Sequence, residues 1–225
     1  VWYVCEMVEV KSRTDTPPRR TQHERRASTR SALLTAAAGA IVDTGPSTGV
    51  AEIARRAGVS TGALQYHFES KTDLLVAVVE VGWNDLVERS MAIARDVSPA
   101  DRVAALVSSM WESYQQPVCR AAFMVSSDPN IDADVAERIT PVFDAERSRL
   151  DRLWLDTFAD IEPPIERVAS ARRFARSHLV GMVVQRQLAS DEPDPDEELD
   201  LLCQATLRIL TDQRNHYSHR KQRLT

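Results

Sequence analysis

With 225 residues, 43% hydrophobic and 27% charged, the chain has enough apolar side chains to bury a sizeable core and too many to remain disordered. Seven glycines are few for a turn-rich sheet protein, and no apolar run approaches the ~18 residues of a membrane span. The net charge of -5 hides an asymmetry: residues 11–72 hold ten Lys and Arg against five Asp and Glu, while residues 73–225 hold eighteen against twenty-six. A basic N-terminal part on an acidic chain fits a polyanionic partner.

Residues 1–26 mix Thr, Pro, Arg and Lys without periodicity and read as a flexible basic arm. The opening Val1–Cys5 stretch is apolar but short, soon followed by Glu6 and Glu9, and lacks the features of a secretory signal. From about Ser28 the pattern turns helical, with Leu33, Leu34, Ala37 and Ile41 on one face and a Gly45-Pro46 stop. A short second helix is expected over about 49–57, with Thr48 as N-cap and Val50, Ile53, Ala54 and Ala57 as its apolar positions. Gly58 breaks it, and Ser60 caps a third helix running to about Phe68. Ser70-Lys71-Thr72-Asp73 is a capping-box analogue that opens a long fourth helix carrying Leu74, Leu75, Val78 and Val81.

Ser98-Pro99-Ala100-Asp101 repeats the start signal and leads a helix to about Gln116, stopped by Pro117. Further helices are expected over 118–127 and over 133–159, the latter either kinked at Pro141 or restarted there with Thr140 as cap. The last two span about 165–189 and 197–212, separated by an acidic turn. The reading is an all-α protein of about nine helices. Its parts are the arm (1–26), an N-terminal helical domain (27–75), a C-terminal helical domain (76–215) and a basic tail (216–225).

The stretch from Gly49 to Phe68 carries the functional signal. Two helices that cross steeply at a tight turn need a small residue at the crossing, Ala54, and a residue at ease in the left-handed conformation four positions on, Gly58. Ile53, Val59 and Leu64 fill the wedge between them. The Ala–Gly–Leu spacing of four and then six is the helix-turn-helix arrangement, whose second helix enters the DNA major groove.

The surrounding residues resemble the TetR (tetracycline-repressor-like) family of bacterial regulators from Thr29 through Leu75, about a fifth of the chain. The likeness is carried by an Ala-rich first helix, Glu52-Ile53-Ala54, Ala57-Gly58-Val59-Ser60, Gly62-Ala63-Leu64, Tyr66-His67-Phe68, and Ser70-Lys71 followed by Leu74-Leu75. The family usually has an aromatic residue where this chain has Gln65. Gln can pair bidentately with adenine, which would shift operator preference, or can simply face solvent or a phosphate. Chemistry and resemblance together make Thr61, Gly62, Ala63 and Gln65 candidates for base edges. Thr48, Ser60, Tyr66, His67 and Lys71 are candidates for phosphates, Lys71 at a position that the family uses in this way. Arg19, Arg20, Arg25, Arg26 and Arg30 can lie along the backbone or reach a minor groove.

The resemblance also implies a C-terminal effector pocket and a homodimer, on helix lengths and not on motifs. Trp83, Trp111, Tyr114, Phe143, Trp154, Phe158, His178, Met182 and Gln185 suit either a pocket or ordinary core. The small residues Ala169, Ala171, Ala175, Ser177 and Gly181, with Leu199, Leu202, Cys203, Ala205 and Ile209 on the last helix, suit a four-helix dimer interface or a close intrachain pair. Cys5, Cys119 and Cys203 are odd in number and widely spaced, as expected of reduced thiols in a cytoplasmic protein. His216-x-x-His219 lacks nearby carboxylates or thiols, so no metal and no cofactor is expected. No nucleophile–base pair or Gly-rich phosphate loop suggests an enzyme. The expected function is a dimeric repressor that binds a palindromic double-stranded DNA operator and is released by a small apolar or amphipathic effector. The alternative is a constitutive DNA-binding architectural protein without an effector pocket.

Overall fold

The computed structural model describes residues 21–91, 97–188 and 194–211. Among them the chain is all-helical: α1 (Gln22–Thr44), α2 (Val50–Arg56), α3 (Thr61–His67), α4 (Lys71–Met91), α5 (Pro99–Gln115), α6 (Pro117–Ser127), α7 (Ala133–Thr157), α8 (Ile165–Leu188) and α9 (Pro195–Thr211), with a 3-10 turn at Ala159–Ile161. Arg19, Arg20, Cys5, the 216–225 tail and its two histidines lie outside the described residues.

Local side-chain chemistry sets the helix starts. Helix α1 begins earlier than its apolar periodicity suggests, because Thr21 and Glu24 form a capping box. Thr21 Oγ1 accepts the Glu24 N–H at 3.2 Å, and the Glu24 carboxylate accepts the Thr21 N–H at 2.7 Å. The reading of residues 1–26 as a flexible arm is corrected accordingly: from Gln22 on they are helix, and Arg25, Arg26 and Arg30 sit on α1.

The turn before α2 brings a second correction. The N-cap of α2 is Gly49, not Thr48. Thr48 is buried, and its hydroxyl donates to the Gly45 carbonyl at 2.7 Å, closing the α1–α2 turn. The expected caps hold elsewhere. Ser70 Oγ accepts the Asp73 N–H at 3.0 Å and the Asp73 carboxylate accepts the Ser70 N–H at 2.8 Å; Ser98 Oγ accepts the Asp101 N–H at 3.2 Å ahead of Pro99. Pro141 lies inside an unbroken α7, and Thr140 caps nothing there, since its hydroxyl donates back to Ala136 O at 2.9 Å.

Helix α4 is the axis of the molecule. It packs against α1 and also against α5, α6 and α7, while α1 rests on α6. The buried apolar side chains consequently form one cluster running from Leu33 to Leu210. Helices α4 and α6 approach most closely at Gly82, where a Cβ would stand 2.6 Å from Ala122 Cβ and 2.7 Å from the Val118 carbonyl oxygen. The Cys119 thiol donates to the Gly82 carbonyl at 3.0 Å. Burial pushes its pKa up to about 12, so it serves as a packed, protonated side chain.

Ion pairs fasten the rest. Buried Arg102 on α5 donates to Thr157 O at 2.7 Å and grips the Asp160 carboxylate, fixing the end of α7. Arg138 on α7 donates to Asp73 at 2.8 Å, tying α7 to the capping box of α4. Helix α8 packs on α9, α5 and α7, with Ala171 and Ala175 fully buried inside the protomer.

Candidate nucleic-acid interface

Ile53, Ala54, Leu64 and Phe68 are all at most 3% exposed, so α2 and α3 are wedged on a common core that leaves one face of α3 outward. The turn between them follows the expected chemistry. Gly58 has φ +68°, where an L side chain is strained, and the Val59 N–H returns to Ala54 O at 3.0 Å. Ser60 caps α3 by accepting the Ala63 N–H at 3.1 Å.

On α3, Thr61, Gly62, Gln65 and Tyr66 are exposed, while Ala63 and His67 are half-buried. Tyr66, at 66% exposure, is one of the most exposed large side chains among the described residues. Its ring meets that of His67 edge-on at 5.4 Å. The Arg26 guanidinium lies 5.2 Å over Tyr66, and that of Arg30 lies 4.4 Å over Phe68. The basic residues of α1 are thus set against α3. Lys71 is half-buried at the first turn of α4, and burial lowers its pKa.

Charge is distributed less evenly than the sequence count suggests. Glu52 accepts hydrogen bonds from Arg55 at 2.7 Å and from Arg56 at 2.8 Å, and these hold its carboxyl down at about 2. Arg56 also reaches Asp43. By contrast, Arg25, Arg26, Arg30 and Lys71 make no ion pair among the described residues. Burial, then the nearby charges of Arg26 and Arg30, lower the His67 pKa below its ordinary value. An exposed helix face flanked by cations that no described carboxylate neutralises is equipped to meet a phosphate backbone.

The other sequence candidates lie deeper in the chain. Trp83, Tyr114, Trp154, Phe158 and Met182 are buried, Trp111, Phe143 and His178 are half-buried, and Gln185 is exposed. Trp83 packs edge-on to Tyr114 and tilted against Phe143, at 6.4 and 5.4 Å between rings; Trp154 and Phe158 form a separate pair at 5.8 Å. The indole N–H groups of Trp83 and Trp154 are buried without a hydrogen-bond partner among the described residues. The Tyr114 hydroxyl sits beside the Arg176 guanidinium, and burial raises its pKa. His178 Nε2 is 3.1 Å from a Glu198 oxygen, but off the line of a hydrogen bond. Sequence reasoning did not find a cavity of about 470 Å³ between α1, α4 and α6, which none of these side chains lines. Its walls come from three distant segments that share no motif. Among the described residues no cluster of His, Cys, Asp or Glu suits a metal, and no helix is long and apolar enough to cross a membrane.

A capped, outward-facing recognition helix on a helical body defines a DNA-binding transcriptional regulator of the helix-turn-helix class. Residues 33–78 match the sequence profile of the bacterial regulatory proteins of the tetR family. The chain is 31% identical over 144 residues to the HTH-type transcriptional regulator CymR of Pseudomonas putida, covering 62% of this chain and 70% of that protein. The fold is also that of NalD, the secondary repressor of the MexAB-OprM multidrug efflux pump in Pseudomonas aeruginosa (TM-score 0.62, 20% identity, 85% of this chain and 100% of that one). A further match is the Bacillus subtilis transcriptional regulator FadR, solved in complex with stearoyl-CoA (TM-score 0.59, 17% identity, 80% and 97%). The chain belongs to the TetR family of transcriptional regulators, which bind DNA and are not enzymes.

Proposed function

We propose that this regulator is a ligand-responsive repressor that binds a palindromic operator as a homodimer and is released by a small apolar or amphipathic effector. The observation that carries this reading is the α3 face, with Thr61, Gly62, Gln65 and Tyr66 outward and beside it Arg26, Arg30 and Lys71, which make no ion pair among the described residues. In this reading Thr61, Gly62, Ala63 and Gln65 meet base edges. Ser60, Tyr66, His67 and Lys71 meet phosphates, and Arg25, Arg26 and Arg30 follow the backbone. Thr48 has no part in it, since its hydroxyl is turned inward.

One seven-residue helix reads only a few base pairs, so a twofold pair spaced about one DNA turn, ~34–36 Å, is needed for a specific site. Exposed Phe174 on α8 and Leu201 on α9 support dimerisation through those helices. The unpartnered Trp83 and Trp154 N–H groups support an effector site in the aromatic body. The stearoyl-CoA bound to FadR and the repressor role of NalD are properties of those relatives that point the same way. An effector releases DNA only if it binds the non-DNA state more tightly, and α4, which spans both parts, is the element to transmit that preference.

Selection of binding sites from a random duplex pool, followed by the mass of the isolated complex, tests the reading. A palindromic consensus holding two protomers is expected. Binding indifferent to sequence would instead make the chain an architectural DNA-binding protein.

A further inference from the structure

We propose that the cavity between α1, α4 and α6 is a second ligand site, separate from the aromatic body, and that it takes a small amphipathic carboxylate. Its apolar wall is built by Leu34 and Ala38 of α1, Val81 of α4 and Val118 of α6. Arg30 and Arg89 also line it. A volume of about 470 Å³ lies within the ~300–1,000 Å³ of small-molecule pockets.

Charge selects the ligand class. Arg89 is engaged by Asp85 at 2.6 Å, whereas Arg30 makes no ion pair among the described residues. Two guanidinium groups against one carboxylate leave the lining one positive charge in excess. A guanidinium favours a planar carboxylate, and the apolar wall favours a hydrocarbon body over a fully hydrated inorganic anion. A neutral amphiphile leaves the Arg30 guanidinium, stacked on Phe68, without a counter-ion among the described residues, and a cationic one meets two like charges.

Position gives the site its consequence. Val81 precedes Gly82 and Val118 forms part of the contact at which Gly82 touches α6, and Leu34 and Ala38 belong to the helix that packs on α2 and stacks Arg26 on Tyr66 and Arg30 on Phe68. A ligand here adds contacts between α1 and α6, favouring the observed arrangement over any in which α1 shifts. Ligand and DNA affinities are therefore linked reciprocally. That linkage rests on the DNA-binding reading above; the site itself does not.

Calorimetric titration of the full chain with decanoate, decanol and decylammonium tests the site. Decanoate is expected to bind once per protomer, about tenfold or more tighter than decanol, with decylammonium weakest. Thr35 lines the cavity with an exposed side chain, and Val81 is 41% exposed. Thr35→Phe and Val81→Phe therefore fill it without disturbing the buried core, and either should weaken decanoate binding by about tenfold or more. Arg30→Gln should erase the preference over decanol, while Phe143→Leu, which lies outside the cavity lining, should leave the decanoate affinity unchanged whatever it does to an effector in the aromatic body. Equal affinity for decanoate and decanol, or decanoate binding that survives both filling variants or responds to Phe143→Leu, would overturn the assignment, as would no binding at all. An operator titration on the same samples separates the readings. Decanoate binding without any effect on DNA affinity sinks the linkage alone, and absence of DNA binding sinks the proposed function while leaving the site standing.

Discussion

At the scale of single residues, the proposed function divides the work of α3 between Gln65 and the cations around it. Gln65 is exposed on the outward face of α3, where a side-chain amide can read an adenine edge. Gln65→Ala should change which sequences a selection recovers. Lys71→Ala should weaken binding to all of them alike and lower the slope of log affinity against log salt by about one. Arg55→Ala is the useful contrast, because Glu52 already holds that guanidinium; the salt slope should barely move. Competition titrations at several salt concentrations decide, and equal effects of Lys71→Ala and Arg55→Ala would sink this division of labour.

His67 adds a pH dependence whose sign can be worked out. Burial and the Arg26 and Arg30 charges place its folded pKa below that of the free side chain, ~6.5. The imidazole is neutral at pH 7, and folding gives up a proton as the solution falls below ~6.5. Its contribution to stability is thus complete above that value and is lost as pH falls through the lower folded pKa. A phosphate beside His67 would oppose this shift, so DNA binding takes up a proton and affinity rises from pH 7.5 to 6. His67→Gln should flatten the rise, and a wild-type affinity independent of pH would remove His67 from the phosphate contacts.

At the scale of elements, what the sequence made legible was mostly what is written within four or five residues. Ser60, Ser70-Asp73 and Ser98-Pro99 mark helix starts through short side-chain bonds, and Gly58 marks the turn through its backbone freedom. Thr21 and Glu24 carry the same kind of signal as plainly, but they lie outside the apolar periodicity that drew attention to α1. Thr48 misled because a hydroxyl before a helix can serve a cap or a turn equally well, and only the position of Gly45 O settles which. Gly82 left no local trace at all, since its reason is Ala122 and Val118 on another helix. Gly82→Ala should therefore destabilise the fold by about 1–3 kcal/mol, although Ala is the better helix former. Denaturant unfolding measures this, and a stability equal to or above wild type would show that α6 can back away from α4 without loss.

At the scale of the whole molecule, the helix-turn-helix and the outward side of α3 were readable and the outer surface of the body was not, because α3 follows a short motif while the outer faces of α8 and α9 follow only from what the rest of the chain leaves uncovered. Of the small residues on α8, Ala171 and Ala175 are used up inside the protomer against its own neighbours, so they cannot also line a dimer contact. The side chains left for a partner include Phe174 on α8, at 40% exposure, and Leu201 on α9, at 59%. Apolar groups of that size on adjoining helices are the anchors expected at the centre of an isologous interface. Introducing a charge there should break the dimer without touching the core: Leu201→Glu should leave the unfolding midpoint of the protomer nearly unchanged and shift the species in sedimentation from dimer to monomer. Operator affinity should fall with it, because each protomer would then hold a single half-site and pay the cost of association twice. Affinity should also become steeply dependent on protein concentration, and a duplex carrying one half-site should bind the variant and the wild-type protomer equally well. A Leu201→Glu protein that sediments as the wild type does and binds the full operator as tightly would place the dimer contact elsewhere on the body.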